Sequence, residues 1–408
     1  MPPDDAPLVE PSACLTPPGE IERRLAGLRA TLVAKGLDAA VVVQNADLYY
    51  FSGTVQQSFL YVPHEGTATL FARRVVERAR RESPLPDVVA LSSVRDLPAM
   101  VARRYGRLPK RLGLESDVLP VVHFRRLEAL FPDAVTVDVG PDIVRQRAVK
   151  SPWEVERIRA AAAIADGVFR CVPDLLDEGV SEAEFAGRVE AEARRLGHEG
   201  IIRMRGFNQE MFYGQLLTGV SGAAATFLAT PLGGTGLSPA VAQGVSFKPI
   251  GRGEPVVFDF VAVRNGYIAD FTRMVVIGGL TDELARAYDA ALAVQQAVEA
   301  VARPGVTCGE VWETAFRAAA TAGLDDRFMG HGAARVRFVG HGVGLELDEL
   351  PVLSAGDDEL AEGMVFALEP KFVLPGLGAV GVEDTYVVTA EGIAPLTTAP
   401  RHVVELAP

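Results

Sequence analysis

Residues 255–277, PVVFDFVAVRNGYIADFTRMVVI, decide how the second half of the chain folds. Two runs rich in β-branched and aromatic residues flank Asn265 and Gly266. An Asn-Gly pair between such runs is the strongest short signal for a two-residue hairpin turn. The stretch therefore predicts a long antiparallel hairpin, and the many apolar residues in both of its strands are typical of buried strands.

Two aspartates interrupt these apolar strands. The predicted turn pairs Asp259 with Thr272 and Val261 with Asp270, so both aspartates lie on one face as diagonal neighbours. Burying two carboxylates side by side costs free energy unless cations neutralise them. The pattern indicates a cation site, and the alternative is a pair of solvated acids on an exposed face of the hairpin.

An imidazole and two more carboxylates stand at comparable places farther along the chain. His341 lies between two glycines in 338–351, FVGHGVGLELDELP. Glu369 and Glu383 end or interrupt apolar runs in 364–388, MVFALEPKFVLPGLGAVGVEDTYVV, where PGLG supplies the turn between them. Histidine is the commonest metal ligand and also transfers protons. The alternative for His341 is an ordinary histidine in a glycine-rich loop.

Taken together, these five side chains form an oxygen-rich set of four carboxylates and one imidazole: Asp259, Asp270, His341, Glu369 and Glu383. Such a set suits two divalent ions, which would be manganese, cobalt, iron or zinc. Oxygen-rich ligands favour manganese, cobalt or iron over the kind of zinc site that thiolates form. Two ions bridged by hydroxide supply a nucleophile at neutral pH.

The rest of the sequence divides the chain into three parts. Residues 1–18 carry six prolines and no hydrophobic period, which predicts a loose N-terminal arm. Strand-like and helical segments alternate over residues 19–149, which predicts a smaller α/β domain. Ser151 and Glu154 form a capping-box pattern at the start of residues 150–408, whose helices and hairpins predict an α+β domain.

Composition and charge exclude several classes of protein. The chain has 40 Lys and Arg against 53 Asp and Glu, a formal net charge of −13, so we expect no nucleic-acid partner. No uninterrupted apolar stretch of about 18 residues occurs, so we expect no membrane span. The acidic start does not resemble a signal peptide, and three scattered cysteines indicate no disulfide framework. We therefore expect a cytoplasmic protein.

The order and spacing of these motifs resemble the creatinase/methionine-aminopeptidase superfamily, the pita-bread metallopeptidases. Within it the chain is most similar to Xaa-Pro dipeptidases and aminopeptidase P. The resemblance rests on NGYIADFTR, GHGVGLELDELP, ALEP and GVEDT, and on LRATLVAKGLDAAVVVQNADLYYFSG in the first half. It covers nearly the whole chain after residue 18. It implies an α+β pita-bread catalytic domain, a preceding creatinase-like α/β domain and a homodimer.

The resemblance also implies a role for each of the five side chains. Asp259 would bind one metal ion. Asp270 and Glu383 would bridge both ions, and His341 and Glu369 would bind the other.

Three positions depart from the family pattern. The family usually carries a second histidine seven residues after the metal-binding one, where this chain has Asp348. It also carries a histidine upstream of the first aspartate, yet no histidine occurs between Ser221 and Val257. Gly381 replaces the usual arginine before the last glutamate. The two missing histidines normally hold the substrate and the tetrahedral intermediate.

Asp348 and His331 are the two candidates to take over the roles of the missing histidines. We also expect a catalytic role for His341. An ionised Asp348 would attract a cationic or hydrogen-donating group of the substrate. The alternative is that it belongs to a solvated acidic edge with Glu346 and Glu349. His331 would partly substitute for a missing histidine, and the alternative is a histidine in a surface loop.

The first functional hypothesis is a dinuclear metallohydrolase of the Xaa-Pro dipeptidase or aminopeptidase type, acting on a small peptide or small amide. The second keeps the fold and the metal ions but cleaves another small C–N or C–S bond, which the loss of both histidines favours. A non-catalytic binding protein is the third, and retention of all five ligands disfavours it. Fold analogy does not choose between the first two.

Overall fold

The structure, a computed structural model, describes residues 15–407 of the chain. The chain divides into two compact units after Gln146. Most of the arm predicted for residues 1–18 lies outside the described residues, and the first helix begins at Pro18. Within residues 15–407, no helix combines the length and the apolar character needed to cross a membrane.

The first unit is an α/β domain with one six-stranded sheet. Its helices are α1 (Pro18–Ala34), α2 (Asn45–Ser52), α3 (Val76–Glu82), α4 (Leu97–Tyr105), α5 (Val121–Leu130) and α6 (Gly140–Ala148). Its strands are β1 (Ala39–Val42), β2 (Ser58–Pro63), β3 (Thr69–Ala72), β4 (Val88–Ala90), β5 (Arg111–Leu114) and β6 (Val135–Asp138). The strands lie in the order β4-β3-β2-β1-β5-β6. Val41, Phe71 and Leu112 of the sheet pack with Leu97 and Leu127 of the helices.

The second unit combines four long helices with mostly antiparallel sheets. Its helices are α7 (Pro152–Leu175), α8 (Glu182–Arg195), α9 (Asp282–Glu299) and α10 (Cys308–Thr321). Its strands are β7 (Gly214–Thr218), β8 (Val256–Arg264), β9 (Tyr267–Ile277), β10 (Phe338–Gly342), β11 (Glu349–Ser354), β12 (Val365–Leu368), β13 (Lys371–Leu374), β14 (Gly378–Gly381), β15 (Asp384–Val388), β16 (Ile393–Pro395) and β17 (Val404–Leu406).

These strands form three sheets, in the orders β17-β9-β8-β7, β11-β10-β12-β15-β16 and β13-β14. The predicted α+β class of this half is confirmed. Helix α7 begins as the sequence predicts, because Ser151 and Glu154 form both hydrogen bonds of a capping box.

The predicted hairpin is present with the predicted register. Asn265 and Gly266 have φ values of 54° and 76°, the left-handed conformation that a type I′ turn requires. The turn pairs Asp259 with Thr272 and Val261 with Asp270. Because side chains alternate along a strand, this register puts both aspartates on one face.

The two faces of the hairpin pack against different helices. Phe258, Phe260 and Phe271 face α7 and α8 in one hydrophobic core. Val257 and Met274 face the opposite way and belong to the core that contains α9 and α10. Alternation therefore directs the two aspartates to this second face.

Candidate metal centre

The five predicted ligands line one cavity of the second unit. Asp259 and Asp270 project from β8 and β9, and His341 projects from β10. Glu369 directly follows β12, and Glu383 stands between β14 and β15. All four carboxylate residues are buried, so the alternative of solvated acids on an exposed face is excluded for Asp259 and Asp270.

Two glycines let neighbouring strands close around His341. A Cβ atom at Gly340 would lie 2.2 Å from the carbonyl oxygen of Ala367 in β12. A Cβ atom at Gly342 would lie 2.2 Å from the carbonyl oxygen of Leu350 in β11. Any larger residue at either position would push a strand away, so the glycines seat the imidazole between both strands.

The hydrogen bonds of His341 orient its second nitrogen toward the carboxylates. Nδ1 lies 3.1 Å from the carbonyl oxygen of Leu347, and a carbonyl only accepts, so Nδ1 carries the hydrogen. Nε2 then lies 3.9 Å from both Asp270 Oδ2 and Glu369 Oε1. Burial lowers the pKa of His341, but the carboxylates of Asp348 and Glu369 outweigh burial and raise it. The surroundings therefore favour a cation at Nε2.

Asp270 is the carboxylate that most clearly needs a cation. Its Oδ1 is buried and has no hydrogen-bond partner among the described residues. Burial and the neighbouring carboxylates of Glu383 and Asp259 raise its pKa well above the usual range. The backbone beneath it is fixed, because its amide N–H donates to Thr385 Oγ1 at 2.9 Å.

One group of residues fits a divalent ion. Ligand atoms of Asp270, His341 and Glu383 all lie within 4.8 Å of one another. Two carboxylates and one imidazole suit manganese, cobalt, iron or zinc. Such an ion would satisfy Asp270, whose Oδ1 has no partner among the described residues, and the inward-facing Nε2 of His341.

A lysine for which the sequence predicts no role lies among the carboxylates of Asp259, Glu369 and Glu383. The Nζ of Lys371, the first residue of β13, donates to Asp259 Oδ2 at 2.8 Å, to Glu369 Oε2 at 2.7 Å and to Glu383 Oε2 at 2.9 Å. Burial alone would lower the pKa of Lys371, but these carboxylates hold it well above its usual range. The side chain is therefore a buried ammonium.

The lysine bonds oxygens that the predicted ligand roles assign to metal ions. The sequence predicts two divalent ions on the five ligands, with Asp259 on one ion and Glu369 on the other. In the structure, one oxygen of each accepts a hydrogen bond from Lys371 instead. Among the described residues, the group whose geometry fits an ion is Asp270, His341 and Glu383.

Glu383 is held in place from behind by the hairpin. Thr272 Oγ1 donates to Glu383 Oε2 at 2.7 Å. Arg273 donates from Nη1 to the carbonyl oxygen of Glu383 at 2.7 Å and from Nη2 to Asp384 Oδ1 at 2.6 Å. Arg273 and Asp384 are both buried, so this ion pair fixes the backbone on which Glu383 stands.

The structure separates the two residues proposed to replace the missing imidazoles. Asp348 lines the cavity, and its Oδ1 lies 3.6 Å from His341 Nδ1 with 43% of the side chain exposed. His331 is exposed, precedes a short 3₁₀ helix (Gly332–Ala334) and does not line the cavity. The structure therefore does not bring His331 to the cavity, and its position fits the alternative of a surface-loop histidine.

A glutamine also faces the cavity and was missed. Gln215 lies in β7 directly opposite Asp259 of β8 and lines the cavity. Its side chain is buried, and neither its amide nitrogen nor its amide oxygen has a hydrogen-bond partner among residues 15–407. The only feature of the sequence that points to Gln215 is that a polar residue stands at the start of the short apolar run GQLLTG.

The acidic edge that was the alternative for Asp348 is not solvated. Glu346 and Glu349 are buried, and Arg147 pairs with both of them. Lys150 Nζ lies 3.1 Å from Glu349 Oε2. Burial raises the pKa of Glu349, but Arg147 and Lys150 outweigh it and lower the pKa to about 2.

This ion-paired cluster supports the imidazole. Glu349 Oε1 accepts the amide N–H groups of Leu345 at 2.8 Å and Glu346 at 3.1 Å. It thereby shapes the loop that presents the carbonyl oxygen of Leu347 to His341.

Two parts of the chain match known protein families. Residues 156–390 match the family described as "Metallopeptidase family M24". This chain belongs to metallopeptidase family M24. Residues 24–149 match the "Creatinase/Prolidase N-terminal domain", so the predicted superfamily and its two-part architecture are confirmed. Membership makes the chain a metal-dependent peptidase, and the non-peptidase alternative is not favoured.

Relatives within the family extend over almost the whole chain. An Xaa-Pro dipeptidase of Pyrococcus horikoshii is 30% identical, covering 90% of this chain and 95% of that protein. An Xaa-Pro dipeptidase of Lactobacillus delbrueckii subsp. lactis is 28% identical, covering 91% and 95%. The solved structure of an Xaa-Pro dipeptidase from Bacillus anthracis superposes with a TM-score of 0.80 at 25% identity, covering 95% of this chain and all of that one.

Proposed function

We propose that this metallopeptidase cleaves short peptides with a free amino terminus, of the Xaa-Pro type that its relatives' names describe, with one divalent ion bound by Asp270, His341 and Glu383. The single observation that carries the proposal is the buried Asp270. Its Oδ1 has no partner among the described residues, and it offers a ligand atom within 4.8 Å of those of His341 and Glu383. When bound, the ion supplies a Lewis acid that polarises a carbonyl group and lowers the pKa of water.

Gln215 is proposed to bind the scissile peptide group. An amide side chain offers two N–H donors and a carbonyl acceptor, which match the carbonyl oxygen and N–H of a peptide. A donor already oriented toward developing negative charge stabilises the transition state more than water does. Because Gln215 is buried and unpartnered in the cavity wall, a bound peptide would satisfy it.

Asp348 is proposed to set the preference at the substrate's amino end. Its carboxylate stands at the cavity and is partly exposed, so it accepts from an ammonium or amide N–H group and repels a carboxylate. The same charge disfavours a substrate carboxylate in the place where the family's second histidine is usual. We therefore expect this chain to cleave Xaa-Pro dipeptides more slowly than it would with the family's usual histidine at position 348. Cleavage should still depend on a free amino group.

The lining of the cavity supports a small substrate. Apolar side chains line part of it, among them Met204, Met211 and Phe338. Apolar walls around a few polar groups are typical of small-molecule sites.

The first experiment measures hydrolysis of Ala-Pro, N-acetyl-Ala-Pro and Ala-Ala by the full chain. The protein is stripped with a chelator and then supplied with Mn²⁺, Co²⁺ or Zn²⁺. We expect the stripped protein to be inactive, the ion to restore hydrolysis of free dipeptides, and acetylation to weaken it. Absence of dipeptide hydrolysis with every ion would contradict the proposal.

A matched pair of variants tests Gln215. We expect Gln215→Leu to lower kcat/KM by about a hundredfold, the effect of losing an oriented donor. Gln243 is also buried but lies outside the cavity wall and donates to the carbonyl oxygen of Glu210 at 2.9 Å. Gln243→Leu should leave kcat/KM close to the wild-type value. Equal losses of kcat/KM in both variants would mean that the substitutions disturb folding, and would contradict the role of Gln215.

Four more detailed predictions from the sequence form part of this proposal: the metal, the location, the oligomeric state and the domain bounds. Manganese is the first ion to test, because two carboxylates and one imidazole make a hard donor set. A cytoplasmic location, a homodimer and the domain bounds 19–149 and 150–408 stay predictions from the sequence.

A further inference from the structure

The ammonium of Lys371 lies inside the carboxylate cluster, not at its edge. It bonds Asp259, Glu369 and Glu383, each within 2.9 Å. A lysine ammonium has three N–H donors and no lone pair, so these three carboxylates use every donor it has. Lys371 therefore acts as a fixed positive charge, not as a nucleophile or a base.

The fold makes room for this lysine. Lys371 pairs with Gly381 across the β13–β14 hairpin. A Cβ atom at Gly381 would lie 2.5 Å from Lys371 Cγ and 2.9 Å from the carbonyl oxygen of Pro370. The stem of the lysine therefore lies in space that a side chain at Gly381 would fill. Gly381, which replaces the family's usual arginine, thus leaves the space that Lys371 occupies.

We propose that Lys371 is a built-in cation that takes the place of a second metal ion, so that the chain binds one divalent ion instead of two. The inference rests on the proposed function in one respect, the assignment of that ion to Asp270, His341 and Glu383.

Both geometry and charge support one ion. Oxygens of Asp259 and Glu369 that accept hydrogen bonds from the ammonium cannot coordinate a metal ion in the same place. A second divalent ion there would also be repelled by the ammonium in a buried site, where charges interact strongly. Asp270 and His341 do not bond the lysine, and Lys371 bonds Glu383 through Oε2, which leaves Oε1 of Glu383 for the first ion.

The test counts ions bound to the full-length protein. Chelator-stripped wild-type protein is titrated with Mn²⁺ and Co²⁺ by calorimetry, and its metal content is measured after gel filtration. We expect one ion per chain for wild type and two for Lys371→Ala, whose carboxylates are freed. Two ions, or none, in wild type would overturn the inference, and so would one ion in a folded Lys371→Ala variant.

Two aspartate variants keep the test decisive if Lys371→Ala does not fold. Asp259→Asn removes a negative charge that pairs with the lysine, so we expect it to weaken the Kd for the first ion by less than about a hundredfold. Asp270→Asn removes a charged ligand, so we expect it to weaken this Kd by more than about a hundredfold. Equal weakening by both variants would overturn the inference, since both aspartates would then act as metal ligands.

These outcomes separate the inference from the proposed function. Wild type that binds one ion but cleaves no dipeptide would overturn the proposed substrate and leave the role of Lys371 intact. Wild type that binds two ions and cleaves dipeptides would overturn the role of Lys371 and leave the peptidase intact. Wild type that binds no ion would overturn both.

Discussion

Lys371 and Gly381 face each other across the β13–β14 hairpin, and the lysine stem runs through the space that a side chain at Gly381 would need. The glycine that replaces the family's usual arginine is therefore part of how the site holds its buried ammonium. This pairing leads to the first prediction.

Gly381→Ala should destabilise the fold. Its methyl group would come within 2.5 Å of Lys371 Cγ and within 2.9 Å of the Pro370 carbonyl oxygen, so the side chain or the strand must shift. Overpacking of this kind costs about 1–3 kcal/mol, measurable by urea unfolding. Gly356→Ala is the control, because a Cβ atom there meets nothing within 4 Å. Equal stability of both variants would show that Lys371 is not packed against Gly381.

His341→Ala and His198→Ala should fail in different ways. His341 is the imidazole of the proposed ion site, so we expect its loss to abolish ion binding and turnover. His198 is buried away from the cavity, with Nε2 donating to the Val261 carbonyl oxygen at 2.9 Å and Nδ1 accepting from the Gly200 amide at 2.8 Å. Its loss should cost about 1–3 kcal/mol of stability while ion binding persists. Loss of ion binding in a folded His198→Ala variant would contradict this division of roles.

Glu349→Gln should destabilise the protein in a pH-dependent way. The folded pKa of Glu349, about 2, is below its ordinary value of 4.5. Its ionisation therefore contributes about 3 kcal/mol above pH 4.5, which is lost as the pH falls from 4.5 toward 2. Urea unfolding should show a large gap between wild type and Glu349→Gln at pH 7. The gap should narrow by about 2 kcal/mol at pH 3. A gap that is independent of pH would refute the ion-pair explanation.

Asp348→His should raise Xaa-Pro cleavage relative to wild type. The variant removes a negative charge that repels a substrate carboxylate and restores the imidazole usual in the family. Because the Asp348 side chain is 43% exposed, we expect no loss of stability. Asp357→His is the control, since Asp357 is exposed and outside the cavity wall. If the ratio of kcat/KM for Ala-Pro to that for Ala-Ala is unchanged, Asp348 does not set specificity.

The hairpin that carries the first two aspartates could be predicted from the sequence because its signals are local. Asn265 and Gly266 specify a tight turn, and a tight turn fixes the register of every pair along both strands. Burial of Asp259 and Asp270 on one face followed from that register. Glu369 and Glu383 stood out because carboxylates are rare inside apolar strands.

The lysine could not be recognised in the same way, because its meaning depends on a partner ten residues away. A lysine that opens a strand is ordinarily a solvated end of that strand. Only its pairing with Gly381, together with the carboxylates on either side, shows that Lys371 is directed inward.

Burial of Glu346 and Glu349 depended on contacts distant in sequence. The run ELDEL is typical of a solvated edge, and the partners Arg147 and Lys150 stand about 200 residues earlier. Long-range ion pairs leave no local pattern, so the sequence could not distinguish a buried cluster from an exposed one.

The most direct test of a single ion beside a built-in ammonium is the anomalous difference density of manganese in crystals of the wild-type protein. We expect one peak, bounded by Asp270, His341 and Glu383, and no peak between Asp259 and Glu369, where Lys371 should remain. Two peaks about 3.5–4 Å apart, with the lysine displaced, would contradict the single-ion site.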